Sequence, residues 1–102
     1  MGACAVLERD IEAYLVKCVK ELGGEVRKVA WIGRRGAPDR LVMLGYFNRS
    51  GLWSSCKTIW VELKAPGVKA KPYQLREHIR MRDMGQVVVV IDSIEGVDEL
   101  LS

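Results

Sequence analysis

A carboxylate and an ammonium stand two residues apart in the stretch Trp60-Val61-Glu62-Leu63-Lys64-Ala65-Pro66-Gly67. Side chains alternate faces along a strand, so Glu62 and Lys64 project on one side while Val61 and Leu63 turn to the other, into a core. On an edge strand such a pair is only a surface salt bridge, which contributes little. On a central strand two charges are costly to bury without partners. A second acidic element upstream, Gly36-Ala37-Pro38-Asp39-Arg40, supplies a candidate partner. Gly36 and Pro38 shape a tight approach that leaves Asp39 at the first position of a strand, although Pro-Asp alone is also a common turn. If the two strands pair, Asp39 comes close to the end of the Glu62 strand. Two carboxylates at one site repel each other and attract a divalent cation, and hard oxygen ligands suit Mg2+ or Mn2+.

The elements that must hold these residues are legible from periodicity. From Val6 to Leu22 apolar residues recur at helical spacing (Leu7, Ile11, Tyr14, Leu15, Cys18, Leu22), and Gly23-Gly24 ends the helix. Strands are predicted at Val26–Trp31, Leu41–Phe47 and Thr58–Leu63, with a Gly/Arg/Pro loop over Gly33–Pro38 and a turn at Asn48–Gly51. Pro72 opens a second helix to about Met84, since proline at a first turn loses no hydrogen bond. Gln86–Ile91 has no polar face and predicts a strand buried on both sides. A short helix from about Glu95 closes the chain. The order α-β-β-β-α-β-α predicts an α/β fold: a mixed central sheet flanked by helices.

The chain has 102 residues, room for one domain spanning 1–102, with a thin but genuine core. A hydrophobic fraction of 49% and a charged fraction of 28% argue against disorder. Three cysteines without metal-ligand spacing point to a reducing, cytoplasmic compartment, and no apolar run is long enough for a membrane span. The net charge of +3 is unevenly spread. Arginines and lysines crowd the middle of the chain and the C-terminal tail is acidic. That pattern suits either a phosphate-binding face or an ordinary solvated surface.

Together, Gly36-Ala37-Pro38-Asp39-Arg40-Leu41-Val42, then Val61-Glu62-Leu63-Lys64-Ala65-Pro66, then Gln74, resemble the VRR-NUC (virus-type replication-repair nuclease) family of the PD-(D/E)XK superfamily. The resemblance runs from about Glu8 to Ile91. It implies the restriction-endonuclease-like core and metal-dependent hydrolysis of phosphodiesters. Asp39 and Glu62 would hold Mg2+ or Mn2+ together with the Leu63 backbone carbonyl, and Lys64 would position the attacking water and offset charge on the phosphorane.

The family also carries an acidic residue on its first helix. Here Glu8 falls inside the apolar arc of that helix and Glu12 at its edge. Glu8 is the expected site carboxylate and metal ligand, with Glu12 as a helper. Gln74 matches the family's glutamine and would touch the site or the substrate phosphate. Arg34, Arg35, Arg40, Lys69, Lys71, Arg76 and Arg80 are the expected DNA contacts, fixing position rather than reading sequence. His78, the only histidine, reads more readily as a packed, hydrogen-bonded core residue than as a site group. Trp31, Trp53 and Trp60 read as core or dimer contacts, and Met81 or Met84 are compatible with an interface.

Stand-alone members of the family resemble Holliday-junction resolvases and act as homodimers, because two sites related by a two-fold axis can cut both strands of a four-way junction. The function so implied is a structure-selective DNA endonuclease, with no organic cofactor, acting in the cytoplasm (a host's, if phage-encoded). Two alternatives remain: a flap-type or less selective DNA nuclease, and a basic module that holds branched DNA without cutting it.

Overall fold

A computed structural model describes residues 5–47 and 53–102. The Asn48–Gly51 turn, Cys4 and the side chain of Trp53 lie outside the described residues. Seven elements follow in the order read from the sequence: α1 (Glu8–Glu21), β1 (Glu25–Lys28), β2 (Arg40–Phe47), β3 (Trp53–Leu63), α2 (Pro72–Asp83), β4 (Val87–Ile91) and α3 (Ile94–Leu101). The strands form one mixed sheet in the order β1-β2-β3-β4. β1–β2 and β2–β3 are antiparallel, and β3–β4 is parallel. A parallel neighbour requires a crossover, and α2 supplies it.

The pleat divides the molecule into two layers of packing. One face of the sheet presents Val42, Leu44, Ile59, Val61, Leu63 and Ile91 to α1 and α3, whose Ile11, Leu15, Val19 and Val97 are fully buried. Tyr14 on α1 donates to Asp98 on α3 at 2.6 Å, tying the two helices together. The opposite face, which carries Trp60, Glu62 and Val88, lies under α2, from which Glu77, His78 and Met81 point inward. Among the described residues no helix is long and apolar enough to cross a membrane.

Four boundaries or burials differ from the sequence reading. β1 ends at Lys28 rather than Trp31, because Trp31 leaves the strand to pack its ring on Trp60, 5.0 Å between centroids. β3 starts five residues before Thr58, at Trp53. β4 is an edge strand, so Val87 and Val90 are exposed instead of covered on both sides. On α2, Leu75 and Ile79 also face outward while Glu77 and His78 are buried, the reverse of what side-chain polarity predicts.

Candidate active site

Register places the two acidic elements together. β2 and β3 pair Arg40 with Val61 and Leu41 with Trp60, so one further step sets Asp39 across from Glu62. Residues directly opposite in an antiparallel pair share a face. The pleat then puts Lys64 on the same side as Glu62, and the Lys64 amide, donating to the Ile91 carbonyl at 2.9 Å, holds the chain just past the end of β3. Leu63 between them pairs with Ile91 and turns its side chain into the core.

Glu62 is 9% exposed, which is costly for a carboxylate. Its pKa is pushed up to about 7, chiefly by burial; Lys64 and Arg40 oppose the rise, and the negative charges of Asp39 and Glu8 add to it. Residues at the start of β2, just past the end of β3 and in the first turn of α1 therefore act on one carboxyl group. Glu8, the first residue of α1, is itself exposed.

Glu12 is engaged elsewhere. Arg40 sits on the α1 face of β2, its side chain 10% exposed, and pairs with Glu12 and, at 2.8 Å, with Asp39. Its guanidinium stays well above any titration range because those two carboxylates outweigh the cost of burial. Arg40, expected among the DNA contacts, is thus enclosed by protein groups, since adjacent residues on a strand point to opposite faces.

The loop between β1 and β2 folds down over the α2 face. Trp31 Nε1 donates to the Pro38 carbonyl at 2.7 Å. The Arg35 guanidinium lies 3.9 Å from the Tyr73 ring centre, a cation–π contact. Gly36, at φ +89°, is pressed so closely on α2 that a Cβ there would stand 2.9 Å from the Tyr73 carbonyl oxygen. Glu77, buried on α2, takes Arg80 at 2.7 Å and Arg34 from the loop at 3.5 Å. Sequence reading missed Glu77 as an organising group; its spacing of three residues from Arg80 is the one signal that pointed to it.

Gln74 accepts a hydrogen bond from the Lys71 amide at 2.8 Å, so its side chain caps the start of α2. His78 is fully buried, with Nε2 3.6 Å from Glu62 Oε1, and neither ring nitrogen has a hydrogen-bond partner. Burial holds it neutral, reinforced by the nearby Arg82 charge. The expectation of a buried histidine holds; the expected hydrogen bond is absent. Of the remaining basic residues, Lys69, Lys71 and Arg76 are exposed, as are the half-open side chains of Arg34 and Arg80.

No group of three or more His, Cys, Asp or Glu side chains among the described residues is drawn together tightly enough to hold a metal ion. Asp39 is half-exposed and turned toward Arg40. The donor chemistry nonetheless fits a hard divalent cation. Two carboxylates meet in register and a third bears on Glu62 from α1. Burial does most to raise the Glu62 pKa, and the negative charges of Asp39 and Glu8 that add to it are what a cation would offset.

No family model matches the chain. The chain is 47% identical over 88 residues to "Putative nuclease p44" of Acyrthosiphon pisum secondary endosymbiont phage 1, covering 86% of this chain and 85% of that one. Among solved structures it is similar to a "VRR_NUC domain", at 39% identity and a TM-score of 0.72, covering 92% of each chain. With the G-x-P-D-R and V-E-L-K-A-P blocks standing at facing ends of paired strands, the chain belongs to the VRR-NUC family.

Proposed function

We propose that the protein is a metal-dependent DNA endonuclease whose site is built from Glu8, Asp39, Glu62 and Lys64. The observation that carries this reading is the register that sets Asp39 across from a buried Glu62, with Lys64 on the same face two residues on. Asp39, Glu62, the Leu63 carbonyl and Glu8 would hold Mg2+ or Mn2+, with Asp39 turning from Arg40 to do so. When bound, the cation polarises the scissile phosphate and lowers the pKa of a water. Lys64 orients the attacking water and offsets the negative charge that grows on the phosphorane. Gln74 supports the site by fixing the first turn of α2. Arg34, Arg35, Lys69, Lys71, Arg76 and Arg80 steer and hold the DNA backbone.

The substrate is branched DNA, a Holliday junction, cut by a homodimer in the cytoplasm. Two sites are needed for paired cuts. Support for a second copy comes from the apolar side chains left exposed on α2 and β4, Leu75, Ile79, Val87 and Val90, and from Met84, which is 71% exposed. Labelled four-way junction, 5′ flap and plain duplex, each incubated with Mg2+ or Mn2+ beside a Glu62→Ala control, test the reading. Paired cuts in the junction, absent in the control, are expected. Cutting of flaps alone would keep the chemistry and overturn the substrate. Tight junction binding by both proteins with no cleavage would leave a binding module.

A further inference from the structure

His78 is the most deeply buried polar side chain described in the molecule and the least satisfied. It is 0% exposed, lies on the face of α2 turned to the sheet, and neither Nδ1 nor Nε2 finds a hydrogen-bond partner. Leaving a buried donor or acceptor unpaired costs about 1–3 kcal/mol. An apolar residue of similar volume would fill this position without that cost, and the neighbouring Met81 on the same helix does so. Nothing in the packing of the core therefore calls for an imidazole here.

Its position does. Nε2 lies 3.6 Å from Glu62 Oε1, a few tenths of an ångström beyond hydrogen-bond length. Such contacts are often long in the unliganded protein and close when the site is filled. A carboxylate that offers one oxygen to a cation needs its other oxygen held, or it swings between one- and two-oxygen contact.

We infer that His78 is a positioning residue for the candidate site: its Nε2–H donates to Glu62 Oε1, fixing the carboxylate so that the second oxygen faces the cation. The inference rests on the function proposed above. In this arrangement the proton sits on Nε2 and Nδ1 is the bare nitrogen, the tautomer that a carboxylate neighbour selects. The unpaired Nε2 is then a hydrogen bond kept in reserve for the occupied site, while Nδ1 stays without a partner.

The test uses the full chain without DNA, titrated with Mn2+ alone and followed by electron paramagnetic resonance, alongside thermal melts. His78→Phe keeps the volume and removes the donor; His78→Gln returns an N–H at about the same reach. His78→Phe is expected to melt no lower than wild type and to bind Mn2+ about 10–100-fold more weakly. His78→Gln is expected to restore binding to near the wild-type value. Wild-type Mn2+ affinity in a folded His78→Phe protein would overturn the inference. So would weak binding that His78→Gln fails to restore. If His78→Phe does not fold, His78→Leu makes the same comparison. A Glu62→Gln variant that binds Mn2+ as wild type does would instead remove the function reading, and this inference with it.

Discussion

Arg40 on β2 pairs at once with Glu12 on α1 and with Asp39 beside it, joining the helix to the strand end that carries a carboxylate of the candidate site. Both acidic partners are partly open to water, so the arrangement is a half-buried triad and not an isolated interior pair. Removing one partner should leave Arg40 under-compensated in a place where it is 10% exposed.

Glu12→Ala is expected to lower unfolding free energy by about 1–2 kcal/mol, less than for a fully buried pair because Asp39 remains. Replacing both partners, as Glu12→Leu with Arg40→Met, should recover most of that loss. Urea denaturation of Glu12→Ala, Glu12→Leu, Arg40→Met and the double variant checks the sign and the coupling.

Gly36 and Gly33 both lie at positive φ, +89° and +75°, yet their surroundings differ. A Cβ at Gly33 meets nothing within 4 Å, whereas one at Gly36 meets the Tyr73 backbone. Gly33→Ala should therefore cost about 1 kcal/mol, the backbone penalty alone. Gly36→Ala should cost about 2–3 kcal/mol, since the loop must also lift off α2. It should depress DNA cleavage as well, because the same loop leads into Asp39. Equal losses for the two variants would contradict the packing described.

The raised pKa of Glu62 gives a pH dependence with a definite sign. Between its ordinary value of 4.5 and about 7 the folded chain keeps a proton that the unfolded chain has released. The metal-free protein should therefore lose stability as pH rises through that window and level off above it. Glu62→Gln should flatten the curve and raise stability at about pH 8 by on the order of 1 kcal/mol, a figure reduced for residual solvent screening. Melts of both proteins in chelator across that range decide the matter.

Basic residues should separate into two groups. Arg76 and Lys69 are exposed, with no ion pair among the described residues. Alanine at either should weaken DNA binding and lower the slope of log affinity against log salt by about 1, with little change in stability. Arg80 anchors Glu77, so its loss should cost stability too. Binding measured at several salt concentrations, paired with melts, distinguishes them.

The sequence was most informative where periodicity and turn chemistry agree. Pro38-Asp39 leading into β2 and Glu62-x-Lys64 near the end of β3 could be placed because strand pairing follows from alternation and the intervening turn. Element order and the mixed sheet followed in the same way. What stayed illegible depended on which neighbour covers a face. Val87–Ile91 is apolar throughout, and nothing local says that β4 ends the sheet with one side bare. On α2, Leu75 and Ile79 outrank Glu77 and His78 in hydrophobicity, yet Glu77 is buried with Arg34 from the loop and Arg80 as partners, and His78 is buried beside Glu62. Arg40 was misplaced by its motif: the family block marks it as basic, and only the pleat shows that it faces α1.

The central claim is that Asp39, Glu62 and Lys64 form one hydrolytic site. The most direct measurement is the single-turnover rate of DNA cleavage in Mg2+ or Mn2+ for wild type, Asp39→Asn, Glu62→Gln and Lys64→Ala, with DNA affinity measured in parallel. Each variant is expected to bind DNA and to lose about two to three orders of magnitude or more in rate. A folded variant of any of the three that cuts at the wild-type rate would contradict the site as assigned.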